Sequence, residues 1–285
     1  MVEVVVHGPA SWNQVVDLDE LPAPRPHMQF ARGHRHVLGG TSAGKAAHLR
    51  ELGVDVELHT VLGTDAAATD IEQALRRASV PLVATYVDGP SEQHLNLMDP
   101  RGGRVSLYLD VPQVDVGATA AATQSVRTAA GGARAVVLDL SATSRAAIDE
   151  VVATGVPIWT DLHDYDGRSG FHAPFADAAS FVFMNGDKAS SVHELVRACV
   201  ARGAQVAVCT LGADGALAVD ARGEEHTIPA EPVSAVVDTN GAGDGFMAGY
   251  LAAHLDGGDV RACLAAGARQ AARALSTHHL CPSLG

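Results

Sequence analysis

Residues 238–246, which read Asp-Thr-Asn-Gly-Ala-Gly-Asp-Gly-Phe, carry the residue types best suited to chemistry. Gly241 and Gly243 permit a tight backbone turn directly before an apolar helix, so the amides of Ala242, Gly243 and Asp244 would point outward at the positive end of the helix dipole. Such amides bind anions. A carboxylate at this place, Asp244, is suited to take a proton from a hydroxyl that is being phosphorylated. The alternative is an ordinary helix start with a capping Asp and packing glycines.

The charge and cysteine content of the chain argue against several classes of partner. The formal net charge is -13 over 285 residues, so the Lys and Arg needed to capture nucleic acid or anionic membrane are outnumbered. Four cysteines lie scattered without C-x-x-C spacing, which predicts neither a zinc site nor disulfides. The N-terminal segment is too short and acidic for a signal peptide, and no apolar run approaches about 18 residues. We therefore expect a cytoplasmic protein.

Short β-branched runs alternate with longer Ala-rich segments of helical period, which predicts an α/β fold with a mostly parallel sheet. The predicted strands cover residues 2–7, 54–61, 135–139, 157–161, 180–184 and 205–210. The predicted helices cover residues 41–52, 66–78, 144–153, 188–201, 242–254 and 260–275. Residues 11–33, rich in Pro and acidic side chains, and residues 82–110, which read as strands joined by turns, break the alternation. We expect these two segments to form a β lid that excludes water from a site.

The string Asp238-Thr239-x-Gly241-Ala242-Gly243-Asp244 resembles the D-T-x-G-A-G-D signature of the ribokinase-like (PfkB) carbohydrate and nucleoside kinases. Further similarities follow in the family's order along nearly the whole chain: Gly39-Gly40, Leu62-Gly63-Thr64-Asp65, Asp161, Asn185, and Thr210-Leu211-Gly212-Ala213-Asp214-Gly215. Chance does not readily give agreement in both order and spacing.

The resemblance implies one domain over residues 1–285, with a central mostly parallel sheet, helices on both faces and a small β-sheet lid. It also implies transfer of a phosphoryl group from ATP to an alcohol, with Asp244 as the catalytic base. The amides of Gly241, Ala242 and Gly243 would form the oxyanion hole. Preorganised backbone donors at that place would stabilise the charge that develops on the phosphoryl oxygens.

The resemblance implies a nucleotide site as well, with ATP held against Asn185, Thr210, Gly212 and Gly215. A strand that simply ends in a turn would show the same Thr-Leu-Gly string, so that alternative stays open. Mg²⁺ would bridge the phosphates. The family commonly has N-x-x-E after this strand, whereas residues 185–188 read Asn-Gly-Asp-Lys, so Asp187 is the candidate metal ligand. The family's C-terminal Gly-Ala pair is replaced by residues 278–281, His-His-Leu-Cys, which leaves dependence on a monovalent cation open.

The family's acceptor alcohol lies beneath the lid, and the matching positions here are Ser11, Asn13, Gly39 and Gly40. In the ribokinase pattern the position of Asn13 is usually Asp and that of Gly44 is usually Asn. These departures argue against ribose itself and leave a sugar, a nucleoside or another polyol open as acceptor. On the predicted lid strand, His94 or Asn96 would contact the substrate, unless this is a plain lid strand.

Several alternatives compete with this interpretation. Residues 39–46 nearly match the P-loop string G-x-x-x-x-G-K-[ST], but Ala46 cannot supply the hydroxyl that a P-loop places on Mg²⁺. None of the fourteen histidines has the helical spacing that aims two imidazoles at one metal ion. A catalytically weak sugar- or nucleoside-binding sensor on the same fold is the main rival, against which the retained Asp244 argues. Exposed lid strands also predict a homodimer through the lid edges.

Overall fold

The computed structural model describes residues 2–285, in which strands and helices alternate along most of the chain. The strands are β1 (Val4–His7), β2 (Ser11–Asp17), β3 (Gly33–Gly39), β4 (Val56–Leu62), β5 (Leu82–Tyr86), β6 (Glu92–Met98), β7 (Arg104–Asp110), β8 (Ala135–Leu138), β9 (Ile158–Asp161), β10 (Phe181–Asn185), β11 (Val206–Thr210), β12 (Ala216–Asp220) and β13 (Glu225–Ile228). The helices are α1 (Thr41–Glu51), α2 (Ala66–Arg77), α3 (Val116–Ala130), α4 (Ala142–Val152), α5 (Ala173–Ala178), α6 (Val192–Ala201), α7 (Ala242–Leu255) and α8 (Val260–Ala274).

The strands form two separate sheets. The large sheet has nine strands in the order β13-β12-β11-β10-β9-β8-β1-β4-β5, and only β12 and β13 at one edge run antiparallel to their neighbours. The second sheet, which we call the lid sheet, has the order β3-β2-β6-β7. The structure therefore confirms an α/β fold with a mostly parallel sheet and a small additional β-sheet.

Hydrophobic side chains cover both faces of the large sheet. Successive residues of β1 point to opposite faces: Val4 and Val6 pack in one core, and Val5 packs in the other. Helices α1, α2, α7 and α8 cover the first face, and helices α3, α4, α5 and α6 cover the second. This two-sided burial explains why the strands read as continuous Val-rich runs in the sequence.

All four cysteines are buried in these two cores. Cys263 and Cys281 lie in the core beside α1 and α7, and Cys199 and Cys209 lie in the core on the other face. Burial raises the pKa of each thiol. Over residues 2–285, no helix is long and apolar enough to cross a bilayer.

Polar residues collect at one edge of the large sheet. Asp161, Asn185 and Thr210 are the last residues of β9, β10 and β11, and Asp139 directly follows β8. Because these strands are parallel, their carboxyl ends meet at the same edge, where open α/β sheets bind ligands.

The boundaries of the lid differ from those expected. Residues 82–86 were expected in the lid, but they form β5, which pairs in parallel with β4 at the edge of the large sheet. Residues 33–39 form the lid strand β3, which the sequence interpretation missed, because the polar run His34-Arg35-His36 did not resemble a strand. The lid sheet thus consists of residues 11–17, 33–39, 92–98 and 104–110.

Candidate active site

Two helices begin at the polar edge without a side-chain cap. The N-cap residues of α1 and α7 are Gly40 and Gly241, with φ of 90° and 80°, whereas α2, α3, α4, α6 and α8 are capped by Asp or Ser side chains. A Cβ at Gly241 would lie 2.3 Å from the carbonyl oxygen of Leu280, and one at Gly40 would lie 2.4 Å from that of Pro9. Glycine is therefore required at both helix starts, and no capping side chain covers their amides.

The start of α7 has the free amides that the sequence predicted. The amide of Ala242 makes only a long contact of 3.5 Å with the Thr239 carbonyl oxygen, and those of Gly243 and Asp244 donate to no backbone acceptor in the described chain. Ala242 and Gly243 also line a large cavity. Unpaired amides at the positive end of a helix dipole are suited to an anion in that cavity.

This cavity, of about 1150 Å³, lies between the lid sheet and the carboxyl edge of the large sheet. The residues predicted for the nucleotide and the metal all line it, namely Asn185, Asp187, Thr210, Gly212 and Gly215. The lining also includes an apolar group of residues from α8 and its C-terminal end, namely Ala268, Ala271, Ala272 and Leu275. Small-molecule sites typically measure about 300–1,000 Å³, so the cavity has room for a nucleoside triphosphate.

Two of the predicted glycines in the cavity have backbone reasons for being glycine. Gly212 has φ of 58° and opens a short 3-10 turn after β11. Gly215 has φ of 90°, and a Cβ there would lie 2.0 Å from the Ile228 carbonyl oxygen, so close packing against β13 also requires glycine. The strand-to-turn alternative therefore accounts for part of this sequence string, although the turn does line the cavity.

Strand β3 and the turns next to the lid strands supply arginines to the cavity, which the sequence interpretation missed. Arg32, Arg35 and Arg101 all belong to its lining. Arg35 donates to Asp17 at 2.6 Å and to Asp238 at 2.7 Å, so it joins β3 to the loop that precedes α7. The lining also contains the carboxylates of Asp17, Asp99, Asp187, Glu231 and Asp238, and guanidinium groups among them are suited to contact phosphate oxygens.

The Asp244 carboxylate lies against α1 rather than in the cavity lining, and only 6% of the residue is exposed. Its Oδ1 lies 2.9 Å from Nζ of Lys45, which is itself 1% exposed. The same Nζ lies 3.2 Å from Oδ1 of Asp139 and 3.4 Å from Oδ2 of Asp161. The structure thus places the Asp244 amide at the uncapped helix start, but buries its carboxylate in an ion-pair cluster that we had not expected.

Burial and the charges of this cluster shift the pKa values of Asp244, Asp161 and Lys45. Burial raises the pKa of Asp244 to about 6, although the ion pair with Lys45 acts in the opposite direction. Burial also acts to raise the pKa of Asp161, but the charges of His163 and Lys45 outweigh it and hold that pKa at about 2. For Lys45, burial would lower the pKa, but the three carboxylates raise it well above its ordinary value. Lys45 therefore remains an ammonium ion.

Gly44, where the family usually has Asn, borders the second oxygen of Asp244. A Cβ at Gly44 would lie 2.5 Å from Asp244 Oδ2, so the carboxylate occupies space that a side chain at this position would fill. Oδ2 accepts no hydrogen bond from any residue between 2 and 285, whereas Oδ1 accepts one from Lys45. Lys45 therefore holds Oδ1 in place, and Oδ2 is available to accept a hydrogen bond.

The residues predicted for the acceptor lie together at the junction of lid and body, outside the lining of the large cavity. Ser11 pairs with Gly39 across β2 and β3, and Ser11 Oγ donates to Asn13 Oδ1 at 2.8 Å. A Cβ at Gly39 would lie 2.0 Å from Asn13 Nδ2, so glycine leaves room for that amide. Gly40 follows directly and starts α1. These four residues are in contact with one another or adjacent, as a shared role requires.

The lid sheet also carries buried polar atoms without hydrogen-bond partners among residues 2–285. Asn96 Oδ1 and Arg35 Nε are two of them, and both residues pair with Val15, so they lie in one cross-strand row. His94 Nε2, in the neighbouring row beside Asn13, is a third: it lies 2.9 Å from Glu92 Oε1 but outside hydrogen-bonding direction. An unpaired buried polar atom costs about 1–3 kcal/mol, so this surface is suited to a polar ligand.

The P-loop alternative finds little support in the geometry. Lys45, which would contact phosphate in a P-loop, is instead surrounded by three carboxylates. Lys188, which stands where the family commonly has Glu, forms an ion pair with Asp164 at 2.6 Å. Asp187 remains exposed at the cavity, with its amide bonded to Asn185 Oδ1 at 3.1 Å.

Comparison with known proteins gives consistent similarities. The family model described as pfkB family carbohydrate kinase matches residues 172–284, which include the residues 238–244 motif. The acarbose 7(IV)-phosphotransferase of Actinoplanes sp. is 29% identical over 270 residues, which cover 93% of this chain and 89% of that protein.

Solved structures are similar over almost the whole chain. A microbiome-derived acarbose kinase gives a TM-score of 0.84 at 29% identity and covers 97% of this chain and 93% of that one. Ribokinase of Arabidopsis thaliana, complexed with ribose and ATP, gives a TM-score of 0.81 at 21% identity. The match covers 99% of this chain and 96% of that one. At that lower identity the likeness concerns the fold alone.

Proposed function

Because the chain belongs to the PfkB family of ribokinase-like carbohydrate and nucleoside kinases, we propose that it transfers the γ-phosphoryl group of ATP to a hydroxyl of a carbohydrate-type acceptor. One observation carries this proposal: the start of α7 turns unpaired amides toward the cavity and holds the Asp244 carboxylate one residue further on. An anion site and a base side by side are what phosphoryl transfer to an alcohol requires.

In this proposal, Asp244 Oδ2 takes the proton of the acceptor hydroxyl while that oxygen attacks the γ-phosphorus. The bond from phosphorus to the β-phosphate oxygen breaks, and ADP leaves. The amides of Gly241, Ala242 and Gly243 donate to the phosphoryl oxygens, where negative charge develops. These donors are held in place by the helix and by the close contact of Gly241 with Leu280, so they need no reorganisation.

ATP would lie in the large cavity, with its phosphates near the lid arginines and its base against the alanine-rich wall of α8. Asn185, Thr210, Gly212 and Gly215 would contact it from the edge of the large sheet. Mg²⁺ fits the same place, because it needs only one or two carboxylates besides phosphate oxygens, and Asp187 offers one at the cavity. When bound, the ion would neutralise phosphate charge.

The acceptor would lie against Ser11, Asn13, Gly39 and Gly40, beneath the lid sheet. The unpaired polar atoms of Asn96 and Arg35 on that sheet favour a ligand with many hydroxyls, since each hydroxyl both donates and accepts. We favour a carbohydrate over a nucleoside because two relatives that align at 29% identity over nine-tenths of the chain are acarbose kinases.

We also propose that the protein forms a homodimer through the lid. The lid edge strand β7 exposes Val105, Leu107, Tyr108 and Leu109, and an exposed apolar edge strand is prone to pair with a second copy. A molar mass of one chain, measured by light scattering at assay concentration, would contradict this part of the proposal.

The test of function is an ADP-release assay with Mg²⁺ and ATP over sugars, oligosaccharides including acarbose, polyols and nucleosides, with products identified by mass spectrometry. We expect turnover with a carbohydrate, and a loss of about 10²- to 10⁴-fold in the Asp244→Asn variant with little change in acceptor affinity. The matched control is Asp256→Asn at the far end of the same helix, where the side chain is exposed. Silence over the whole panel together with tight carbohydrate binding in calorimetry would favour the sensor instead.

A further inference from the structure

Lys45 is a buried cation placed beside the proposed base. It lies in the second turn of α1 and is 1% exposed, and three carboxylates surround its ammonium group. An ammonium group has three N–H donors, and Nζ lies within 3.4 Å of Asp139, Asp161 and Asp244. Nζ donates hydrogen bonds to Asp139 and Asp244 and forms an ion pair with Asp161, so all its charged partners are protein groups.

The surroundings of Lys45 are fixed by neighbouring residues. Asp139 also accepts hydrogen bonds from Ser42 Oγ at 2.7 Å and from Thr41 Oγ1 at 3.3 Å, both in the first turn of α1. Asp161 accepts from the backbone amide of His163 at 2.9 Å. With Asp139 and Asp161 held by their own partners, Lys45 is anchored on two sides, and its short contact with Asp244 fixes the third carboxylate.

Charge explains why an anchored cation matters here. Asp244 must be ionised to accept a proton, yet burial and the two other carboxylates disfavour its ionised form. Lys45 is the cation in contact with it. The other titratable groups that face this region are His163, which lies 3.6 Å from Asp161, and His48, which faces Gly245 from α1 and whose pKa burial lowers to about 4. Neither imidazole contacts Asp244.

We propose that Lys45 is a positioning residue for the phosphoryl transfer: it holds Oδ1 of Asp244, keeps that carboxylate ionised, and leaves Oδ2 directed at the acceptor hydroxyl. Gly44 is the complement of Lys45, because a side chain at position 44 would displace Oδ2. This inference rests on the proposed function, in which Asp244 is the base. It adds a residue that acts through the base and never touches the substrate.

The principal test is the Lys45→Met variant, with kcat and kcat/KM for the acceptor measured from about pH 5 to about pH 9. We expect kcat near neutral pH to fall about 10- to 100-fold and KM for ATP to stay within about twofold. The acid limb of the pH profile should move upward by at least about one pH unit, because removal of an adjacent opposite charge raises a carboxyl pKa. A merely structural role would lower activity without moving that limb.

Two further variants keep the test decisive if Lys45→Met folds poorly. The double variant Lys45→Met/Asp139→Asn removes one positive and one negative charge, so its cluster keeps the net charge of the wild type. Its kinetics are compared with those of Asp139→Asn alone, from which it differs only by the loss of Lys45. The same drop in kcat and the same upward shift of the acid limb are expected relative to that background. Gly44→Ala leaves all four charges in place and improves the helix propensity of α1, yet it should also lower kcat and move the limb, because the new methyl group displaces Oδ2.

The outcomes separate this inference from the proposed function. If Asp244→Asn keeps wild-type turnover, the assignment of Asp244 as base fails, and the role of Lys45 fails with it. A second outcome is that Asp244→Asn is inactive, while Lys45→Met or Gly44→Ala keeps a kcat within about threefold of wild type and the acid limb of the pH profile does not move. In that case only the Lys45 inference is overturned. An inactive Asp244→Asn together with shifted limbs in these variants supports both.

Discussion

Replacement of Asp244 by Asn should make the protein more stable at the same time as it removes turnover. The pKa of this buried carboxyl is about 6, against 3.8 for an ordinary Asp, so the fold disfavours its ionised form. Asn resembles the protonated carboxyl in shape and carries no charge. The variant therefore loses the base but also loses the energetic cost of a buried ionised group.

The magnitude follows from the pKa difference. A difference of about two pH units at about 1.4 kcal/mol per unit corresponds to about 3 kcal/mol in the free energy of unfolding. The sign follows from the direction of the shift. With a folded-state pKa above the unfolded-state value, the wild type loses this stability as the pH rises from about 4 to about 6, and the loss is complete above that range.

The assays are urea unfolding and thermal unfolding of wild type and Asp244→Asn at about pH 8 and at about pH 5. At the higher pH we expect the variant to be more stable by about 3 kcal/mol, with a rise in Tm of roughly 5 °C or more. At the lower pH the advantage should shrink to about half, because the wild-type carboxyl is by then largely protonated in the folded state. A variant that is no more stable at pH 8, or whose advantage does not shrink at pH 5, would refute this reasoning.

Asp161→Asn is the matched control, since it alters another carboxylate of the same cluster. Its pKa is about 2, below the ordinary value, so the ionised form stabilises the fold above the unfolded-state pKa. The Asn variant should therefore be less stable near neutral pH by about 2 kcal/mol. That deficit should disappear as the pH falls from about 4 to about 2. Opposite signs at two carboxylates around one lysine would be difficult to explain by a general effect of substitution.

Two other changes test the cavity. Arg35→Met removes the hydrogen bond between the lid sheet and Asp238, and we expect KM for ATP in steady-state kinetics to rise about tenfold. The control is Arg145→Met, which changes an exposed arginine of α4. An unchanged KM for ATP in Arg35→Met would contradict a role near the phosphates. Asp187→Asn should raise the Mg²⁺ concentration needed for half-maximal activity at least about threefold, and an unaltered Mg²⁺ titration would remove Asp187 from the metal site.

Much of the fold could be predicted because it depends on local patterns. All six predicted strands are present, since Val-rich runs such as residues 2–7 are buried on both faces and show this in their composition. Helix α3 was missed because its Ala- and Thr-rich sequence has a weak apolar stripe, with only Ala122, Val126 and Ala130 buried. The strand at 82–86 was assigned to the lid because composition does not say which sheet a strand joins.

The residues of the candidate site also differ in how far the sequence could predict them. The residues proposed for the nucleotide followed from the resemblance to the PfkB family, and each of them ends a strand or lies in a turn that follows one, at the cavity. The ion-pair cluster could not be predicted, because Lys45, Asp139, Asp161 and Asp244 are brought together only by tertiary structure. A sequence signal did exist: Asp139 and Asp161 follow or end adjacent parallel strands, and Lys45 stood out in the near match to a P-loop.

One pair of thiols is buried on each side of the large sheet, so the reactivity of the native cysteines can be used to follow unfolding. An alkylating reagent has no exposed thiol to modify while both cores are closed. Once a helical layer detaches, its pair becomes reactive: Cys263 and Cys281 on one side, Cys199 and Cys209 on the other. Peptide mapping of the first labelled molecules would therefore identify the layer that opens earlier, without any engineered probe.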